Sequence, residues 1–304
     1  MTQLLNALPG ALAQGLIWGV MAIGVYITYK VLDIADLTVD GSICTGAAVC
    51  TMLLLGGQSP WLALLCAVLA GVLAGAVTGL LHVGLGIPPI LAGILTQMVL
   101  WSVNLKLLGK ANQALPARTT PVLLSQMDVG GALPVLLGFC VALVALLVLF
   151  FGTELGCALR ATGCNPVMSR AQGVNTGLMK IIGLALSNGV VALSGALLCQ
   201  YQGYTDVNMG RGAVVIGLAA VVIGQAVLGR RGGRMAVQLG GVILGAVIYY
   251  IVYQVIIFAG FDTDLLKMFS AVVVAVFLGA PHVKAQLKAH SRSKKGDSGH
   301  AENE

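Results

Sequence analysis

The sequence predicts an all-α, polytopic transmembrane bundle, and three observations predict it. Hydrophobic residues make up 58% of the 304 residues and charged residues only 9%, whereas a soluble domain carries about 25% charged residues. Apolar runs of about 20 residues, long enough to cross a hydrocarbon core of ~30 Å as a helix, recur along the chain. Glycine supplies 41 residues, in keeping with helices whose backbones approach closely in lipid.

Measured against that length, the sequence gives nine candidate spans, near residues 9–29, 38–56, 61–81, 87–108, 133–152, 181–200, 214–228, 235–257 and 264–281. The runs 38–56 and 214–228 are short or polar at one end, so the count ranges from about eight to ten. Residues 1–283 read as one membrane domain, and the polar residues 284–304 as a disordered tail.

Basic residues set the orientation. With the C-terminus in the cytoplasm, twelve lie inside: Lys30, Arg160, Arg170, Lys180, Arg230, Arg231, Arg234, Lys284, Lys288, Arg292, Lys294 and Lys295. Five (Lys106, Lys110, Arg118, Arg211 and Lys267) fall on the outer side. Lys and Arg accumulate on cytoplasmic loops, so the opposite orientation is rejected. The net charge of +6 thus reports topology and lipid contact; it gives no basic stripe for nucleic acid. Trp61, Trp101, Tyr201 and Tyr204 fall near span ends and read as an interfacial belt.

The seven cysteines include no C-x-x-C pair and no histidine at ligand spacing. They read as small hydrophobes, with neither a disulfide framework nor a metal site expected. The N-terminus lacks the positive segment of a cleaved signal.

The inner loop 153–180, TELGCALRATGCNPVMSRAQGVNTGLMK, carries helix punctuation. Asn165 suits an N-cap, Pro166 the first helical position, and Gly173 a left-handed C-terminal residue. A short helix is expected over 166–172, preceded by a second stretch from Glu154 to Ala161. Connectors in bundles usually need only a few residues. A loop of this length with Arg160 and Arg170 therefore reads as a docking element.

Two long runs carry a resemblance: RATGCNPVMSRAQGVNTGLMKIIGLALSNGVVALSGALL, and the earlier GLIWGVMAIGVYITYKVLDIADLTVDGSICTGAAV. They resemble the permeases of ABC importers of the branched-chain amino acid and ribose type. Within that group they are nearest to permeases paired with tryptophan/tyrosine-type binding proteins. The match covers about residues 10–280. The resemblance implies that the inner loop couples to a cytoplasmic ABC ATPase through Glu154, Gly156, Arg160, Gly163, Asn165, Pro166, Arg170, Ala171 and Gly173. It also implies a permease homodimer in the bacterial inner membrane, an extracytoplasmic substrate-binding protein, and a small solute such as an aromatic amino acid. No cofactor is expected. No G-x-x-x-x-G-K-[ST] phosphate loop is present, because Arg230 and Arg231 follow the spaced glycines Gly224 and Gly229. ATP hydrolysis is assigned to a separate subunit.

Acidic residues at membrane depth are costly and mark pathways or partners. Asp33, Asp36 and Asp40 lie in VLDIADLTVDGS. They fit either a solvated cytoplasmic turn or a helix broken at Gly41 and Ser42 beside the translocation pathway. The stretch TDVNMGRGAVVIGLAAV (205–221), with Asp206, echoes ADLTVDGSICTGAAV (35–49) and suggests inverted repeats. Asn188, Ser194, Gln200, Gln202 and Tyr204 can bond a substrate or a neighbouring helix, and Gln97 and Asn104 are further pathway candidates. The competing function is a secondary transporter coupled to an ion gradient, for which the long capped loop has no use. An intramembrane enzyme is discounted, because His82, His282, His290 and His300 all lie in or near inner loops and the tail.

Overall fold

The computed structural model describes residues 2–116, 120–228 and 234–258, together with Met268, Val272 and Ala275. Among these residues the chain forms ten α-helices: α1 Thr2–Tyr26, α2 Val39–Leu55, α3 Pro60–Gly84, α4 Pro89–Leu108, α5 Val129–Gly152, α6 Glu154–Cys164, α7 Pro166–Ala171, α8 Thr176–Gln202, α9 Ala213–Leu228 and α10 Met235–Phe258. A π-helical turn, Ile27–Val31, prolongs α1. Local chemistry starts several of them. Ser59 accepts from the N–H of Leu62 ahead of Pro60, Asp128 from Gly131, and Asn175 from Leu178. Each cap satisfies an N–H that the first turn leaves free.

Six helices are long and apolar enough to cross a membrane: α1 with its π turn, α3, α4, α5, α8 and α10. The 17 residues of α2 and 16 of α9 rise only about 25 and 24 Å, short of a ~30 Å core. The expectation of nine spans therefore resolves, among the described residues, into six long helices and two short ones. An apolar window does not separate a full span from a short helix that starts inside the bundle. Of the ninth expected span, 264–281, only Met268, Val272 and Ala275 are among the described residues, and the tail 284–304 lies outside them.

The fold also adds an element that an all-α reading lacks. Strands β1 (Asn112–Ala114) and β2 (Tyr204–Asp206) pair antiparallel, with Gln113 opposite Thr205. Three-residue strands carry no periodic signature of their own.

Helix α8 occupies the centre, packed against α1, α2 and α3. Close backbone approach makes this possible: a Cβ on Gly46 of α2 would run into the carbonyl of Ala192 on α8. Polar side chains of α8 are consumed in the same packing. Ser194 donates to the carbonyl of Ile17 at 2.7 Å and Ser187 to that of Gly24 at 2.8 Å. Helices α3, α4 and α5 turn leucines such as Leu73, Leu95 and Leu149 outward. That exposed apolar surface is unsuited to water and suited to hydrocarbon. Of the expected aromatic belt, Trp61 and Tyr204 are exposed, but Tyr201 is 2% exposed and belongs to the core.

Candidate translocation pathway and docking loop

Between the π turn and α2 the chain is non-helical over residues 32–38. Asp33, at φ +56°, makes the reversal, and the N–H of Ile34 returns to the carbonyl of Thr28 at 3.0 Å. The break therefore precedes Asp40. Gly41 and Ser42, expected to permit it, instead lie within α2. Gly41 packs directly on the backbone of Gln97 in α4, and Ser42 turns toward α8.

Asp36, only 5% exposed, accepts from the N–H of Thr38 at 2.8 Å and from Asn188 Nδ2 at 2.8 Å. Asn188 Oδ1 accepts from Ser42 Oγ at 2.6 Å. Three of the expected pathway residues thus bond one another near the middle of α8. A buried network is favourable only when its members are paired, and here each finds a partner. Beside it, the hydroxyls of Thr38, Thr78 and Thr96 are linked at 2.8 and 2.9 Å.

The two echoed stretches meet. Asp206 accepts from the N–H of Asn208 at 2.6 Å, two residues on, repeating the turn that Asp36 makes with Thr38. The segment 205–212 then runs antiparallel along α2. Thr205 meets Thr51 at 2.6 Å, the carbonyl of Val207 accepts from Cys44 Sγ at 3.3 Å, and the N–H of Gly210 reaches the same sulfur at 3.2 Å. At its end the Asp40 carboxylate accepts from Gly212 and Val214, each at 3.0 Å. A residue in the first turn of α2 therefore caps α9. The positive ends of two short helices converge on one carboxylate.

A cavity of 660 Å³ opens at this junction. It is lined by Asp40, Gly41 and Cys44 of α2, by Ile94, Gln97, Met98, Trp101, Ser102 and Asn104 of α4, and by Val207 and Arg211. Of the expected pathway residues, Asp40 and Gln97 line it directly, and Asp206 adjoins Val207. Asp33, which is exposed, and Asp36, Ser42 and Asn188, which are buried, are not part of its lining. Cys44, Trp101 and Arg211 were not anticipated there. The helical spacing of Gln97, Trp101 and Asn104 on one face of α4 is the signal that finds these three lining residues.

At the opposite end of α8 from the ribbon lies the loop of α6 and α7. Asn165 Oδ1 accepts from Val167 at 3.1 Å and Met168 at 3.0 Å, and Pro166 takes the first helical position. Helix α7 closes at Ala171. The N–H of Gly173, at φ +83°, returns to Arg170, and that of Val174 to Ser169. The stretch expected to end at Ala161 continues to Cys164. Its Thr153 side chain accepts from Gly156, which is buried against the Phe150 and Phe151 backbone. Gly163 lies on the carbonyl of Val31, with no room for a Cβ. The arginines brace the loop: Arg160 donates to the carbonyl of Phe151 at 3.1 Å, and Arg170 Nε to Thr176 Oγ1 at 2.8 Å. Glu154 and Ala171 are exposed. Val167 (76% exposed) and Met168 (61%) stand outward from α7 as an apolar tip. Sequence reading did not select them, because their exposure depends on which face of a six-residue helix is turned inward.

A family model described as the permease component of branched-chain amino acid transport systems matches residues 8–280. The chain belongs to this permease family. A tyrosine transport system permease protein of Clostridioides difficile (strain R20291) is 37% identical to it, over 93% of this chain and 94% of that one. An uncharacterized protein of Rickettsia prowazekii (strain Madrid E) is 33% identical, over 91% and 98%. The autoinducer 2 import system permease protein of Escherichia coli (strain K12 / DH10B) is 29% identical, over 67% of this chain and 60% of that one. No solved structure matches the chain. In this permease, then, the polar junction and the braced loop belong to a membrane transport component. They occupy separate regions of the bundle, joined through α8 and through the contact of Gly163 with Val31.

Proposed function

We propose that this permease is the membrane subunit of an ATP-driven ABC importer in the bacterial inner membrane, moving an amino acid by alternating access. It works as a homodimer, receives its solute from an extracytoplasmic binding protein, and binds a cytoplasmic ATPase. The observation that carries the reading is the α6–α7 loop. A short helix capped at both ends and braced by two arginines holds Val167 and Met168 out to solvent. An apolar tip on a rigid mount suits a groove on a partner, and costs little ordering entropy when it docks. Displacement of the tip would reach the break before α2 through Gly163 and Val31. The tyrosine transport relative supports an amino acid, and an aromatic one, as the solute. The matching turns at Asp36 and Asp206 support an inverted repeat, and the loop is assigned to the cytoplasm with the C-terminus.

An ion-coupled carrier is the second reading, favoured by one observation: two short helices that meet at a carboxylate, as in carriers with broken helices. Co-purification separates the two. Wild type extracted gently from membranes is expected to retain an ATPase subunit. Gly173→Pro is expected to lose it, because proline holds φ near about −65° and lacks the N–H that bonds Arg170. A wild type that brings down no ATPase would favour the ion-coupled carrier.

A further inference from the structure

Asn104 is 1% exposed, and neither its carboxamide oxygen nor its nitrogen has a hydrogen-bond partner in the protein. Buried polar groups are almost always paired, and an orphan calls for a reason. Asn104 has one in its position, since it lines the cavity at the α2–α9 junction.

The cavity is chemically graded along α4. Gly41 packs on Gln97, so the neighbouring Asp40 lies level with it. Arg211 sits at the same level, between Gly210, whose N–H reaches Cys44, and Gly212, whose N–H reaches Asp40. Both signs of charge therefore gather at one end. Asn104 lies about 10 Å further along the helix, at ~1.5 Å per residue. Between them Trp101 and Met98 supply an aromatic and apolar wall. A matching ligand is zwitterionic at one end, flat and apolar in the middle, and able to donate and accept at the other.

We infer that the cavity holds a para-hydroxylated aromatic amino acid in transit, with Asn104 as the residue that recognises its hydroxyl. The ammonium faces Asp40, whose oxygens keep free lone pairs beyond the two N–H groups they accept. The carboxylate faces Arg211. When the Asn104 side chain turns toward the cavity, a phenol hydroxyl donates to its Oδ1 or accepts from its Nδ2, and a plain phenyl ring does neither. A site built to bond a hydroxyl rejects the analogue that lacks it, because its own polar group is then left unpaired. The inference rests on the amino-acid importer reading above and goes beyond it in naming the group recognised.

The test uses the complete importer in proteoliposomes, with ATP inside the ATPase compartment and labelled tyrosine, phenylalanine, tryptophan or leucine supplied. The initial-rate ratio of tyrosine to phenylalanine is compared among wild type, Asn104→Leu and Asn104→Ser. The binding protein is common to all three, so its own preference cancels. Asn104→Leu is expected to lower the ratio about tenfold or more, and Asn104→Ser, which keeps a small hydroxyl, to lower it less. Equal ratios in all three proteins overturn the inference and leave the importer reading standing. If the leucine variant does not fold, the serine variant decides: an unchanged ratio overturns the inference, a lowered one supports it. Failure of wild type to take up any of the four amino acids removes the importer reading, and the inference with it.

Discussion

Asp40 and Val214, far apart in sequence, are joined by a 3.0 Å hydrogen bond from the Val214 N–H to the Asp40 carboxylate. With the matching bond from Gly212, it fixes the start of α9 to the start of α2. Both helices are too short to cross a bilayer alone, so their shared junction sets where each begins.

Removing that acceptor should loosen the junction. Asp40→Ala is expected to destabilise the permease by about 0.5–2 kcal/mol, the range for loss of a helix cap. Asp40→Asn, which keeps one carboxamide oxygen, should lose less. Thermal unfolding of the detergent-solubilised protein gives both values.

Asn188 bonds both Asp36 and Ser42. Asn188→Leu leaves two buried groups without that partner, at about 1–3 kcal/mol for each unsatisfied group. In a double-mutant cycle, Ser42→Ala with Asn188→Leu should fall short of the sum of the single effects by about 0.5 kcal/mol or more. Simple additivity in the unfolding measurement would show that the 2.6 Å contact contributes nothing.

How much of this was legible in the sequence differs from region to region. The caps of α7 were, because Asn165, Pro166 and Gly173 act on their immediate neighbours. The long helices were, because length and apolarity are local. The site of the break was not. Gly41 looked like a helix breaker, yet its lack of a side chain serves the approach of α4, a contact between distant segments. Strands β1 and β2 escaped for the same reason, since each is defined only by its partner. Asp36 and Asp40 stood out in the sequence as carboxylates between two apolar runs. Their separate fates, one tied to Asn188 and one facing a cavity, depend on how α2 meets α8 and α9.

The seat of the α6–α7 loop is steric. Gly163→Ala places a methyl against the carbonyl of Val31. Overpacking of this kind costs about 1–3 kcal/mol, and shifting α6 away relieves it. The variant is expected to melt close to wild type and to retain less ATPase in a pull-down.

Cap and tip are separable. Asn165→Ala frees the N–H groups of Val167 and Met168, and at about 1 kcal/mol it should speed proteolytic cleavage within α7. Val167→Ser with Met168→Ser, both at exposed positions, should leave stability within about 0.5 kcal/mol while reducing ATPase recovery. Unchanged recovery would remove the apolar tip from the docking surface.

The most direct measurement is solute uptake into proteoliposomes that contain the permease with its ATPase and binding protein. The account predicts uptake of labelled tyrosine that requires ATP and stops when the ATPase is inactivated, with no response to an imposed proton or sodium gradient. Uptake driven by such a gradient, with the permease alone and no ATP, would contradict it.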